Sequence, residues 1–295
     1  LFTLPETKFD FVGDDYIYAE ISPEMSEDSN FKALAITNEL RKRDLPGVLE
    51  ICPSNASYLV QFNPEVISAR DLLESLKEID MTKSNPSELN LEIRVIEIPI
   101  WYDDPYTEEY SKKYRERNVI KDDISNFNLV MKVNGYTDKK SFIEAHSSHP
   151  YLLTMMGFIP GTVWEYPLGL EKKDVLQAPK YISPRTNTPS RAVGVGGAFT
   201  VIYPFMTPGS YQLIGLSAVP LVDHEQKLAV FNDSVFLAKP GDIWKHRPVS
   251  EGDYMNIRKQ VKQGTYQYKI KELHFSPEEY FAKRKSYIQK LMEGF

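Results

Sequence analysis

Apolar and polar positions along the first hundred residues predict six elements. Residues 11–21 read as a strand, with Tyr16 and Tyr18 on one face and Ile17 and Ala19 on the other. Residues 27–44 carry Ala33, Ile36 and Leu40 at three- and four-residue spacing, which predicts a helix. Phe31, Leu34 and Ala35 fall off that stripe, so its first half is expected to be buried on two sides. Pro46-Gly47 ends it, and two short strands follow at 48–52 and 58–62 around the turn-rich Pro53-Ser54-Asn55. Ser68 then caps a helix through residue 80, with Leu72, Leu73 and Leu76 inward. Leu91, Ile93 and Val95 alternate as a last strand. The order is βαββαβ, a ferredoxin-like split unit, which is a scaffold and specifies no activity.

Residues 100–135 look polar and helical, and Tyr106, Tyr110 and Tyr114 at four-residue spacing predict one packed face. From residue 158 to about 248 the texture changes. Prolines and glycines recur between short β-rich pieces such as 198–203 and 211–216, which reads as a barrel or sandwich. The end returns to helix. Ser250 caps residues 251–262, Tyr266, Tyr268 and Ile270 alternate as a strand, and Ser276-Pro277-Glu278-Glu279 opens a final helix. The expectation is an α+β protein with boundaries at 1–99, 100–249 and 250–295.

Composition narrows the class. A chain of 295 residues buries a core without disulfides or a structural metal, and 42% hydrophobic with 26% charged residues is globular. Thirty-five basic against 41 acidic side chains, a net charge of -6, excludes the basic stripe of a nucleic-acid binder. The single cysteine, Cys52, excludes an internal disulfide and any multi-cysteine zinc site, and fits a reducing cytoplasm. The most apolar stretch, 151–170, is broken by Pro160, Gly161, Glu165 and Pro167, so no membrane span is expected.

Most familiar chemical signatures fail. No glycine precedes a lysine, so there is no Walker A loop, and no serine sits in a nucleophile elbow. His146 and His149 lie three apart without a nearby third ligand, so no metal is expected. Val130-Met131-Lys132-Val133 approximates a biotinylation tetrapeptide but lacks the short strands around one, and Lys132 is read as a surface lysine. What stands out runs from His146 to Gly215: residues 146–161, 184–189, 192–204 and 207–215 follow at short intervals. Glycines there permit close backbone approach and expose N–H groups to an anion. Arg185 suits a two-pronged hydrogen bond to a carboxylate, and Lys180 and Gln212 lie nearby in sequence. For any single glycine, turning a tight barrel is the simpler reading.

At these segments the chain resembles the allophanate hydrolase subunit 1 family, also known as the KipI or 5-oxoprolinase B-subunit family. The residues that carry the resemblance are His146-Ser147, Tyr151, Gly157-Phe158, Pro160-Gly161, Pro184-Arg185, Pro189, Val193-Gly194, Tyr203-Pro204 and Pro208-Gly209, with the early stretch 45–64. The resemblance implies a cyclophilin-like β-barrel as second domain. Residues 101–107, Val133-Asn134-Gly135, Lys180-Tyr181, Gly196-Gly197-Ala198-Phe199 and the tail 247–280 are similar more narrowly to the carboxyltransferase region of biotin-dependent urea carboxylases.

That likeness implies a cytoplasmic carboxyltransferase-type subunit, inactive alone. It would work with an allophanate hydrolase subunit 2-like partner in the carboxylation of urea or a related amide or lactam. It would carry no covalently bound cofactor. Carboxybiotin would be supplied by a partner, with a biotin carboxylase and a biotin carrier protein in the complex. Lys180 and Arg185 would polarise the carboxyl group, Gly194, Gly196 and Gly197 would offer N–H groups to the developing charge, and Tyr203 and Gln212 would orient the acceptor. His146 is either a proton shuttle or a packed histidine. Two alternatives stay open: the B subunit of an ATP-dependent 5-oxoprolinase, and a KipI-type inhibitor of histidine kinases. The chain departs from the family pattern at Phe199, Val201, Ser210, Leu216 and Ser217, which leaves the substrate unassigned.

Overall fold

The computed structural model describes residues 4–83, 91–118, 120 and 123–295. It divides into two compact units. The first is built from β1 (Lys8–Val12), β2 (Tyr16–Glu20), α1 (Glu27–Arg43), β3 (Val48–Pro53), β4 (Ser57–Phe62) and α2 (Ala69–Lys83). Its sheet is antiparallel in the order β1-β2-β4-β3. Alternation decides which face is inward: Ile17 and Ala19 of β2 and Tyr58, Val60 and Phe62 of β4 meet Ala33, Ile36 and Leu40 of α1 and Leu72 and Leu76 of α2. Ser26 and Ser29 form a reciprocal cap at the start of α1, and Asp44 ends the helix in the left-handed region at φ 45°. Phe31, off the main stripe, packs against Phe275, Tyr280 and Phe281, so α1 is covered on two sides as its sequence predicts.

Two expectations about this unit change. The single strand predicted over 11–21 is a hairpin, β1 and β2, because Gly13 at φ 64° with Asp14 and Asp15 turns the chain. The strand predicted around Leu91–Val95 does not join this sheet; it opens β5, twelve residues long, which runs into the barrel.

The second unit carries β5 (Leu91–Tyr102), α3 (Pro105–Arg117), α4 (Asn126–Val133), α5 (Lys139–Ser147), β6 (Pro150–Met156), β7 (Val163–Pro167), β8 (Arg185–Thr188), β9 (Ala192–Gly196), β10 (Phe199–Ile202), β11 (Thr207–Gly209), β12 (Gln212–Ser217), β13 (Ile243–Pro248) and α6 (Glu251–Lys262). Seven strands close in the order β12-β9-β10-β7-β6-β13-β5, with β5 returning to β12 through Tyr102 opposite Gly215. Closure leaves none of these seven strands at a free edge. Gly215 is needed there, since a Cβ would lie 2.7 Å from the Trp101 carbonyl oxygen. β5 pairs parallel with β13 and antiparallel with β12, and β8 and β11 form a separate two-stranded ribbon. This closed barrel matches the cyclophilin-like expectation.

The chain ends in β14 (Ile270–Phe275) and α7 (Pro277–Met292). Tyr266 and Tyr268 precede β14 instead of starting it; the Tyr268 hydroxyl is anchored by donating to the Pro220 carbonyl at 2.5 Å. The tyrosine face expected on α3 is also revised. Its buried positions are Thr107, Ser111, Tyr114 and Arg115, and Tyr106 is half exposed.

Candidate carboxyl-binding site

One face of the barrel carries a cavity of about 150 Å³, walled by Trp164 of β7, Val201 of β10, and Tyr203 and Tyr211 beyond it, with Lys180 and Phe158 at its sides. Trp164 and Val201 are register partners on adjacent antiparallel strands, so pairing alone places them side by side. Phe158 stands at φ 73°, unusual for an aromatic residue, and is 62% exposed. The Lys180 ammonium lies 5.7 Å above the Tyr211 ring, where the electron-rich face favours a cation.

Behind Tyr203 lies Arg185, only 2% exposed. Its Nε donates to Thr188 Oγ1 at 3.4 Å, and its guanidinium sits 5.5 Å from the Tyr181 ring centre. Neither Nη has a hydrogen-bonding partner among the described residues. Burial draws the guanidinium below its ordinary pKa, offset by the nearby phenols of Tyr203, Tyr181 and Tyr114. An unpaired buried cation with two free donors is costly unless an anion joins it, so the arrangement suits a carboxylate. Gly209, opposite Arg185 in the β8–β11 ribbon, keeps this corner closed: a Cβ there would stand 2.6 Å from Thr188 Oγ1 and 2.7 Å from the Tyr203 hydroxyl. Tyr203 thus touches both the cavity and the arginine's surroundings.

The other expected site residues lie differently. Gln212 is buried outside the cavity wall. Its Nε2 donates to the Pro179 carbonyl at 2.8 Å and its Oε1 accepts from Asn126, which also donates to the Tyr181 hydroxyl at 2.8 Å. Gln212 therefore holds the segment that presents Lys180, and its amide is occupied by that task. Asn126, on α4, was not singled out by the sequence because one asparagine in a polar stretch carries no signal.

Gly194 and Gly196 make room for an aromatic ring more than they offer donors. A Cβ on Gly196 would meet the Tyr211 ring at 2.5 Å, and one on Gly194 would lie 3.0 Å from Tyr211. Gly197, at φ 59°, donates its N–H to the Ala178 carbonyl at 2.7 Å, so that N–H is committed to the barrel.

His146 lies inside the barrel, fully buried. Tyr102 Oη is 2.8 Å from Nδ1 and Thr200 Oγ1 is 2.9 Å from Nε2, so a neutral ring accepts from one and donates to the other. It stacks on His246 at 5.0 Å, and His246 Nε2 lies 2.6 Å from a Glu165 carboxyl oxygen. Burial drives every member towards its neutral form: His146 well down, His246 down to about 3, and Glu165 well up. A neutral carboxyl donating to His246 satisfies these directions. His146 is thus packed inside the barrel and does not line the Lys180 cavity. Among the described residues no group of three or more metal-ligating side chains converges, and no helix is long and apolar enough to cross a membrane.

The chain that folds into this closed barrel belongs to the family "Carboxyltransferase domain, subdomain C and D", matched over residues 7–231. Among curated relatives, the urea amidolyase of Saccharomyces cerevisiae is 24% identical over 279 residues, covering 94% of this chain and 15% of that protein. The 5-oxoprolinase B subunit of Bacillus subtilis is 27% identical over 257 residues, covering 82% of this chain and 93% of that protein. The Kluyveromyces lactis urea carboxylase structure superposes with a TM-score of 0.82 at 22% identity, over 97% of this chain and 25% of that one, a likeness of fold.

Proposed function

We propose that this chain contributes half of a carboxyltransferase site, acting with a subunit-2-like partner on urea or a related amide or lactam, in the cytoplasm. The observation that carries the reading is Arg185: a buried guanidinium with both Nη groups unpartnered, next to a cavity that Tyr203 and Lys180 line. Arg185 holds the carboxyl group in transfer by paired N–H donation. The Lys180 ammonium faces the charge that grows on the acceptor's oxygen, and the Tyr203 hydroxyl orients the acceptor. Gln212 and Asn126 fix the backbone that carries Lys180. The carboxyl group arrives on biotin held by a partner, and the partner protein supplies the wall that excludes water, so the chain alone is inactive.

The test is carboxylation of urea by the reconstituted complex. Arg185→Met and Lys180→Ala are expected to lower kcat/KM by about 10- to 100-fold, the scale of a charge-assisted hydrogen bond. Arg185→Met should leave the fold as stable as before, since it removes an unpaired buried charge. Unchanged rates in both variants would overturn the residue assignment.

The second reading is the B subunit of a 5-oxoprolinase, favoured by the Bacillus subtilis relative, of which the match covers 93%. Against it, the likeness to yeast urea amidolyase extends over 94% of this chain. Turnover of 5-oxoproline with ATP and without biotin would decide for the second reading.

A further inference from the structure

A second cavity, of about 350 Å³, lies between the barrel and α6 and shares no residue with the Lys180 pocket. Arg191, Arg258, Lys262 and Lys227 give it cations, and Phe205 and Val222 give it an apolar side. The charges are poorly compensated. Arg191 Nη1 donates to the Ser217 carbonyl at 2.7 Å and to the Tyr254 hydroxyl at 2.9 Å, and Arg258 Nη1 donates to the Ala218 carbonyl at 3.1 Å. All three partners are neutral. Lys262 has no partner among the described residues, whereas Lys227 is paired with Glu225. The acid on the rim, Asp223, is turned to its own loop: Oδ1 accepts from the Glu225 amide at 3.1 Å, and Oδ2 from the amides of Lys227 at 2.8 Å and Leu228 at 3.4 Å.

The backbone adds an independent observation. Arg191 sits at φ 70°, in the left-handed region that glycine occupies freely and other residues occupy under strain. It is pinned there by its N–H donating to the Tyr203 carbonyl at 2.5 Å and its carbonyl accepting from the Ser217 N–H at 2.9 Å. A long cationic side chain held in that strained conformation beside a second guanidinium points to a role for its charge.

We propose that this cavity binds a small phosphate monoester. The dianion bridges Arg191 and Arg258 and faces Lys262, and the organic body lies against Phe205 and Val222. Three cations without carboxylate partners suit a group carrying about two negative charges better than a single carboxylate. The cavity is also larger than a bare phosphate needs.

The experiment is calorimetric titration of the full chain at constant ionic strength with phenyl phosphate, inorganic phosphate and benzoate. Phenyl phosphate is expected to bind more tightly than inorganic phosphate, which lacks the body, and than benzoate, which lacks the second charge. Lys262→Glu, on an exposed side chain, and Arg191→Gly, which suits the backbone, should each weaken phenyl phosphate by about tenfold or more. Circular dichroism checks that both variants remain folded. No binding by the wild type up to about 10 mM phenyl phosphate, or equal binding in both folded variants, would overturn the proposal. Equal affinity for inorganic phosphate and phenyl phosphate would overturn the monoester assignment.

Discussion

Tyr211 shows how a single side chain connects sequence pattern to site. Its ring lies over β9 where Gly194 and Gly196 leave no side chain, and it forms both a cavity wall and the surface beneath the Lys180 ammonium. Gly196→Ala would place a methyl group 2.5 Å from that ring, well inside contact distance. The expected loss is about 1–3 kcal/mol of stability, measured by urea denaturation, together with a displaced Tyr211 and lower carboxylation activity. An unchanged midpoint would mean that the ring moves aside freely. The glycine-rich run was legible in the sequence as a place of close approach. The sequence did not reveal that an aromatic ring, as well as any ligand, makes that approach.

Elements in this protein are joined by a few buried polar ties. Arg94 on β5 donates Nε to Asp242 Oδ1 at 3.1 Å and Nη2 to the Leu237 carbonyl at 2.7 Å, and Asp242 also accepts from the Lys239 amide at 2.8 Å. Asp242 thereby closes the turn into β13 and locks it to its parallel neighbour β5. Asp242→Ala would strand a half-buried guanidinium and release the turn, at an expected cost of about 3–5 kcal/mol by chemical denaturation. A loss below about 1 kcal/mol would show that solvent readily reaches Arg94. Only the start of β5, at Leu91, Ile93 and Val95, was legible from alternation. This tie, over 148 residues of sequence, was not.

Across the barrel unit, the response to pH is a sum of opposing signs. His146 and His246 have lowered pKa values in the fold, so the stability they hold above 6.5 is lost as the pH falls from there. Glu165, Asp104 and Asp242 are raised by burial, so their contribution is present at low pH and lost as the pH rises through their folded values. The two sets have opposite slopes below pH 6.5, and the wild-type stability profile there is expected to be shallower than either set alone would give. His146→Gln removes one histidine from that balance. The destabilisation it causes should be largest above pH 6.5 and shrink by about 1.4 kcal/mol for each pH unit below it. Urea midpoints of both proteins at pH 5.0, 5.75, 6.5 and 7.5 measure this, and a difference constant with pH would show that His146 binds its proton equally in the folded and unfolded chain.

Local pattern in the chain was enough for α1, α2, α6 and α7, the β-rich texture of the second half and the family motifs, because capping, alternation and glycine placement act between neighbours. It also brought Lys180 and Arg185 forward, since both stand within the motif run. Where those residues act was left to the tertiary structure. Closure of the barrel through β5 and β12 buried His146 among Tyr102, Thr200 and His246, and turned Gln212 from the cavity towards Pro179. It left the Arg185 Nη groups without partners among the described residues. Periodicity specifies which face of a strand is inward, but only the order in which strands meet fixes which polar groups share that interior.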